Sequence, residues 1–156
     1  MATYDNDTAF ARDQDVARAL RTSRPTGHGP TRVYDWIDHH AMNRGGKEAI
    51  RELDRDRSFT YADLDRRIDA MTAYLASVGV GRGDRVAVLA HNGVEFFDVQ
   101  FACQRNGAIC VLLNWRLTVS ELEYILNDSS PNVLFHDAEN TAAATELQRL
   151  CAMHTL

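Results

Sequence analysis

A chain of 156 residues, 45% hydrophobic and 25% charged with a formal net charge of −5, is long enough to bury one ordinary core and has no basic excess. That balance argues against a general nucleic-acid binder, which needs a positive face, and offers nothing to attract an anionic membrane surface. No apolar run approaches the roughly 20 residues that span a bilayer, and residues 1–14 are polar and acidic without the apolar stretch of a secretory signal. The expectation is a cytoplasmic protein with no integral membrane segment and no nucleic-acid partner. Cys103, Cys110 and Cys151 share no metal-type spacing, so reduced thiols are expected, the first two buried.

Residues 1–30 read as a flexible leader with one short helix over residues 13–22, followed by the breaker-rich Pro25-Thr26-Gly27-His28-Gly29-Pro30. Val33, Trp36, Ile37, His40 and Ala41 then recur at helical spacing, stopped by Asn43 and Gly45-Gly46. Residues 49–53 and 57–60 flank the charged turn Asp54-Arg55-Asp56 and predict a hairpin. Thr60 and Asp63 predict a capping box, with Phe59 and Leu64 placed as a hydrophobic staple. From there Leu64, Ile68, Met71, Leu75 and Val78 form an apolar stripe that Gly79 ends. Asp63, Asp65 and Asp69 fall on the opposite side, which predicts a solvated face.

Strands and helices alternate after that. Residues 85–89, 108–113 and 132–136 are short apolar strands. Asn92 with Glu95 opens a helix through Val94, Phe97, Phe101 and Cys103, closed by Asn106-Gly107. Thr118 and Glu121 form a second capping box with Leu117 and Leu122 as staple, and Leu122, Ile125 and Leu126 face inward. Residues 141–153 are a last helical stretch. Strand, helix, strand, helix, strand predicts parallel pairing through right-handed crossovers, in a sheet covered on both faces. The fold class is α/β: a parallel βαβαβ half-sheet over residues 31–156 with a preceding hairpin.

Several constellations yield bland readings. Gly79-Val80-Gly81-Arg82-Gly83 follows a helix and precedes a strand, the reverse of a phosphate loop, and reads as a helix-to-strand turn. Adjacent His39 and His40 point about 100° apart on a helix and do not readily share one metal. No serine sits in a Gly-x-Ser-x-Gly elbow. Ligands of open α/β sheets sit beyond the carboxyl ends of the strands, which makes His91, Asn92, Asn114, Trp115 and Arg116 the candidate ligand positions. Capping by Asn92 and packing by Trp115 explain those two equally well. No catalytic, cofactor-binding or metal-binding residue is assigned.

Four segments, in order, resemble the N-terminal part of acyl-CoA synthetases of the adenylate-forming superfamily. They are Phe59-Thr60-Tyr61-Ala62-Asp63-Leu64, then Gly79-Val80-Gly81-Arg82-Gly83-Asp84-Arg85-Val86-Ala87, then Asn92-Gly93-Val94-Glu95-Phe96. The fourth runs from Arg105-Asn106-Gly107-Ala108 through Asn114-Trp115-Arg116-Leu117-Thr118 to Glu121-Leu122. The chain departs from the family pattern at Leu112 (often proline), Cys110 (often tyrosine) and Asn106 (often alanine). The wording around Asn114 leans toward fatty-acyl and medium-chain ligases.

The resemblance implies a parent enzyme that couples ATP to a carboxylic acid, forming an acyl-adenylate and pyrophosphate, then passes the acyl group to CoA. ATP, Mg²⁺ and CoA are implied for that parent and none for this chain. The family's Ser/Thr/Gly-rich phosphate loop, its Thr-Glu pair, its ribose-binding aspartate and its C-terminal lysine have no counterpart in the 156 residues. The expectation is therefore a segment that stops before the phosphate loop, inactive in isolation, whose partner is the remainder of the ligase or a second copy of the chain. A standalone, non-catalytic dimerisation or interaction module derived from such a ligase remains the alternative.

Overall fold

The computed structural model describes residues 34–151 and the backbone of 154–155. The expected leader with its helix over residues 13–22, and Val33, lie outside the described residues. In chain order the elements are α1 (Trp36–Arg44), β1 (Glu48–Glu52), β2 (Arg57–Thr60), α2 (Tyr61–Ser77), β3 (Arg85–Leu89), α3 (Val94–Asn106), β4 (Ile109–Leu112), α4 (Val119–Ser129), β5 (Val133–His136), a 3-10 turn (Ala138–Asn140), α5 (Thr141–Leu150) and β6 (His154–Thr155). The antiparallel β1–β2 hairpin stands apart from a parallel sheet ordered β4-β3-β5-β6. The α/β class and the preceding hairpin are as the pattern predicts. Among the described residues no helix is long and apolar enough to cross a membrane.

β3 organises the core. Its side chains alternate between faces: Val86 and Val88 join Met71, Leu75, Val99, Ala102 and Cys103 beneath α2 and α3. Ala87 and Leu89 join Leu122, Leu126, Ala144 and Leu147 beneath α4 and α5. An uninterrupted apolar strand is what two covered faces require. β4 does not share this condition. It lies at the sheet edge, and Ile109 and Leu112 are 53% and 50% exposed.

Both capping boxes form. Asp63 N–H donates to Thr60 Oγ1 at 3.2 Å while Thr60 N–H donates to Asp63 Oδ2 at 2.9 Å. At α4, Thr118 N–H donates to Glu121 Oε2 at 2.8 Å. The helix-to-strand turn also forms, with Gly79 and Gly83 at φ 86° and 87°, a region open to glycine at little cost.

Three expectations are corrected. Asn92 does not cap α3: Gly93 occupies that position in an extended conformation, and the Val94 N–H donates to Glu52 Oε1 of the hairpin at 2.7 Å. A carboxylate from a distant strand thus does the work of a local cap. In α1, only Ile37 of the inward stripe is buried; Trp36 is 60% exposed and lies edge-on to Tyr34 at 4.5 Å between ring centroids. The acidic side of α2 is not solvated. Asp65 and Asp69 are buried, because α3 packs across that face and Arg105 reaches both of them and Asp35. Asp63 serves in the capping box. Periodicity reads one helix at a time, and a cation from the next helix turned the acidic face inward.

Removing Arg105 leaves carboxylates crowded in a space from which water is largely excluded. Arg105→Leu is expected to destabilise the fold by about 3–5 kcal/mol, whereas Arg66→Leu, on an exposed pair with Asp63, changes it by about 0.5 kcal/mol or less. Urea unfolding of the two variants checks this, and equal losses would refute it.

Candidate functional site

The connection after β3 runs to β4 on one side of the sheet, and the connection after β5 runs to β6 on the other. The carboxyl ends of β3 and β5 therefore form the topological switch point, the place where sheets of this type hold ligands. His91 lies two residues beyond β3, and Asp137 directly follows β5. Asp137 Oδ2 accepts from the His91 backbone N–H at 2.7 Å and meets His91 Nδ1 at 2.8 Å. Its Oδ1 accepts from the Asn140 N–H at 2.9 Å and from Asn140 Nδ2 at 2.7 Å. One carboxylate thus ties the two strand ends together and caps the 3-10 turn.

Burial pushes the Asp137 carboxyl up, but the donors from His91 and Asn140 outweigh it and hold the group below the usual carboxylate range. The Trp115 ring lies 4.1 Å from the His91 ring, and the Arg116 guanidinium sits 4.1 Å above the Trp115 ring. Glu139 Oε2 is 3.7 Å from His91 Nδ1. With Nδ1–H engaged by Asp137, a neutral His91 presents Nε2 as an acceptor. The arrangement can accept a proton or a hydrogen bond there, beside an indole face and a fixed positive charge.

Of the candidate positions, the structure brings His91, Trp115 and Arg116 together. Asn92 and Asn114 stay exposed, and Asn114 Oδ1 accepts from the Arg116 N–H at 3.1 Å, shaping the turn that aims the pair. Sequence reasoning missed Asp137 and Asn140. The signal was available: the carboxyl-end rule that selected His91 after the first parallel strand selects Asp137 after the third. Among the described residues no group of three or more His, Cys, Asp or Glu converges as metal ligands do, so no residue here is assigned to Mg²⁺.

Comparison with known proteins then decides the family. The profile of the AMP-binding enzyme family matches residues 37–155. This chain belongs to the AMP-binding enzyme family. It is 43% identical over 126 residues to a feruloyl-CoA synthase of Amycolatopsis sp, covering 80% of this chain and 24% of that protein. To the indoleacetate–CoA ligase of Aromatoleum aromaticum it is 42% identical over 101 residues, covering 65% and 19%. The solved fatty acyl CoA synthetase of Mycobacterium tuberculosis superposes with a TM-score of 0.69 at 28% identity, over 72% of this chain and 22% of that one. The chain therefore spans about a fifth to a quarter of the length of these AMP-binding relatives.

Because the folded-state pKa of Asp137 is lowered, its stabilising contribution is present above the unfolded value near 4 and is lost as pH falls through the folded value. Asp137→Asn is expected to cost about 1 kcal/mol at pH 7. The gap from the unsubstituted chain narrows as pH drops below about 4, which urea titrations at neutral and acidic pH measure. A gap that widens toward acid would overturn the assignment.

Proposed function

We propose that this chain is the N-terminal part of an ATP-dependent ligase that activates a fatty acid as its acyl-adenylate and transfers the acyl group to CoA. The observation that carries the reading is the family match over residues 37–155, in the same stretch as the four ordered motifs. The Asn114-Trp115-Arg116-Leu117-Thr118 wording and the likeness to a fatty acyl CoA synthetase support a fatty acid. An aromatic acid is the second reading, favoured by the 42% and 43% identities to proteins named for indoleacetate and ferulate. A cytoplasmic location belongs to the same proposal.

By itself the 156-residue chain does not adenylate, because none of its segments has the form of a phosphate loop. ATP–pyrophosphate exchange by the protein as its gene encodes it, offered fatty acids and then indoleacetate and ferulate, tests the substrate class. Exchange stimulated by a fatty acid is expected. Stimulation by the aromatic acids only would transfer the proposal to the second reading. Exchange by the purified 156-residue chain would overturn the claim of inactivity.

The partner follows from the sheet edge. The outer side of β4 has no paired strand among the described residues, and exposed Ile109 and Leu112 lie along it. Such an edge invites another strand or an apolar surface. In the whole ligase the remainder of the enzyme covers it; in the isolated chain a second copy does. Light scattering of the isolated chain should show association that rises with concentration and falls in Ile109→Lys. A monomer at every concentration would count against it.

A further inference from the structure

Two of the three thiols outside the site at the strand ends pack into one cluster. Cys103 lies in the last turns of α3, and Cys110 lies in β4. Between them Gly107 adopts φ 72°, in the left-handed region, and the Ala108 N–H donates to the Cys103 carbonyl at 2.8 Å. This turn folds β4 back against the end of the helix that precedes it. Cys110 stands beside Val86 in the parallel register and shares its face of the sheet, so its side chain packs into the cluster that holds Cys103.

The two thiols are not equivalent. Cys103 is 1% exposed, while Cys110 is half-buried on the edge strand. The neighbouring Cys110 thiol and burial push the Cys103 thiol up. The Cys103 thiol in turn lowers Cys110 against the opposing effect of burial. Cys110 is thus the more accessible of the two sulfurs, and Cys103 the sheltered one. An accessible cysteine packed against the same cluster as a second, buried cysteine is an arrangement that suits reversible thiol oxidation.

We propose that Cys103 and Cys110 are an oxidation site, closed to an intramolecular disulfide by a hydroperoxide. Cys110 Sγ attacks one oxygen of hydrogen peroxide and the O–O bond breaks. The leaving hydroxide takes the thiol proton to form water, and Cys110 becomes a sulfenic acid. Cys103 Sγ then attacks Cys110 Sγ, and the S–O bond breaks as hydroxide leaves with the Cys103 proton as a second water. Two thiols are oxidised, one peroxide is reduced, and the protein loses two hydrogens. The bridge pins β4 to α3, and β4 is the strand that leads into Trp115 and Arg116.

Cys151 lies in the other core cluster and serves as an internal control. Treatment of the folded chain with hydrogen peroxide is expected to lower its mass by about two units, with peptide mapping placing the cross-link between residues 103 and 110. Cys103→Ser should stop the reaction at a Cys110 sulfenic acid that dimedone captures, and Cys151→Ser should leave the mass loss unchanged. Oxidation at Cys151 first, a dimedone adduct on Cys103 of the unsubstituted chain, or three free thiols after treatment would each overturn the proposal. The mass loss is read on the unsubstituted chain, so it stands even if a variant fails to fold.

Discussion

The burial of β3 on both faces is the constraint from which the other elements take their places. Four consecutive residues of this strand, from Val86 to Leu89, have almost no contact with water. A strand in that condition needs a helical layer on each side and a partner strand on each edge, because its backbone groups have no solvent to turn to. The α2–α3 layer, the α4–α5 layer, β4 and β5 meet those four requirements. The switch point lies beside it: the connection after β3 runs to β4 on one side and the connection after β5 runs to β6 on the other, so the two loops at their carboxyl ends part.

Charge holds the hairpin and the first layer to one another. Glu52 supplies the α3 N-terminus with its missing acceptor and pairs with Arg57, which also reaches Glu95. On the neighbouring turn Arg67 holds Asp98, whose carboxyl burial pushes up to about 6 in spite of the cation beside it. Water is scarce enough there that desolvation outweighs an ion pair. These contacts add little net stability beyond that of apolar packing, but each is costly to break singly. They therefore act mainly to fix the register in which hairpin, α2 and α3 meet.

Much of this was legible along the chain. The two capping boxes, the stripe from Leu64 to Leu75, the reading of Gly79–Gly83 as a turn and the parallel strands all rest on signals within a few residues of each other and formed as expected, whereas Val78, the last residue of the expected stripe, is 38% exposed. What failed depended on partners far away in sequence. Asp65 and Asp69 look solvated until Arg105 is brought 36 to 40 residues back to meet them. Asn92 looks like a cap until Glu52 arrives from 42 residues upstream. His91 was within reach of the carboxyl-end rule, but its carboxylate partner stands 46 residues later. Local pattern specifies elements; the assembly decides which polar groups end up between them.

The same reasoning bears on why the strand ends, rather than the glycine-rich turn, are the place to look for function. The Gly79–Gly83 turn lies at the amino end of β3, where no helix begins, and the N–H groups of Gly79, Val80, Gly81 and Gly83 are already bonded within the fold. At the opposite end Asp137 gathers four donors from two loops and fixes the His91 ring by one nitrogen. Trp115 and Arg116 arrive there from the end of β4, so the position of their stack on His91 depends on how firmly β4 is held to β3. That edge strand has cover on one side only among the described residues. The position of the stack therefore depends on the α3–β4 turn, where Gly107 reverses the chain and Cys103 and Cys110 pack into one cluster.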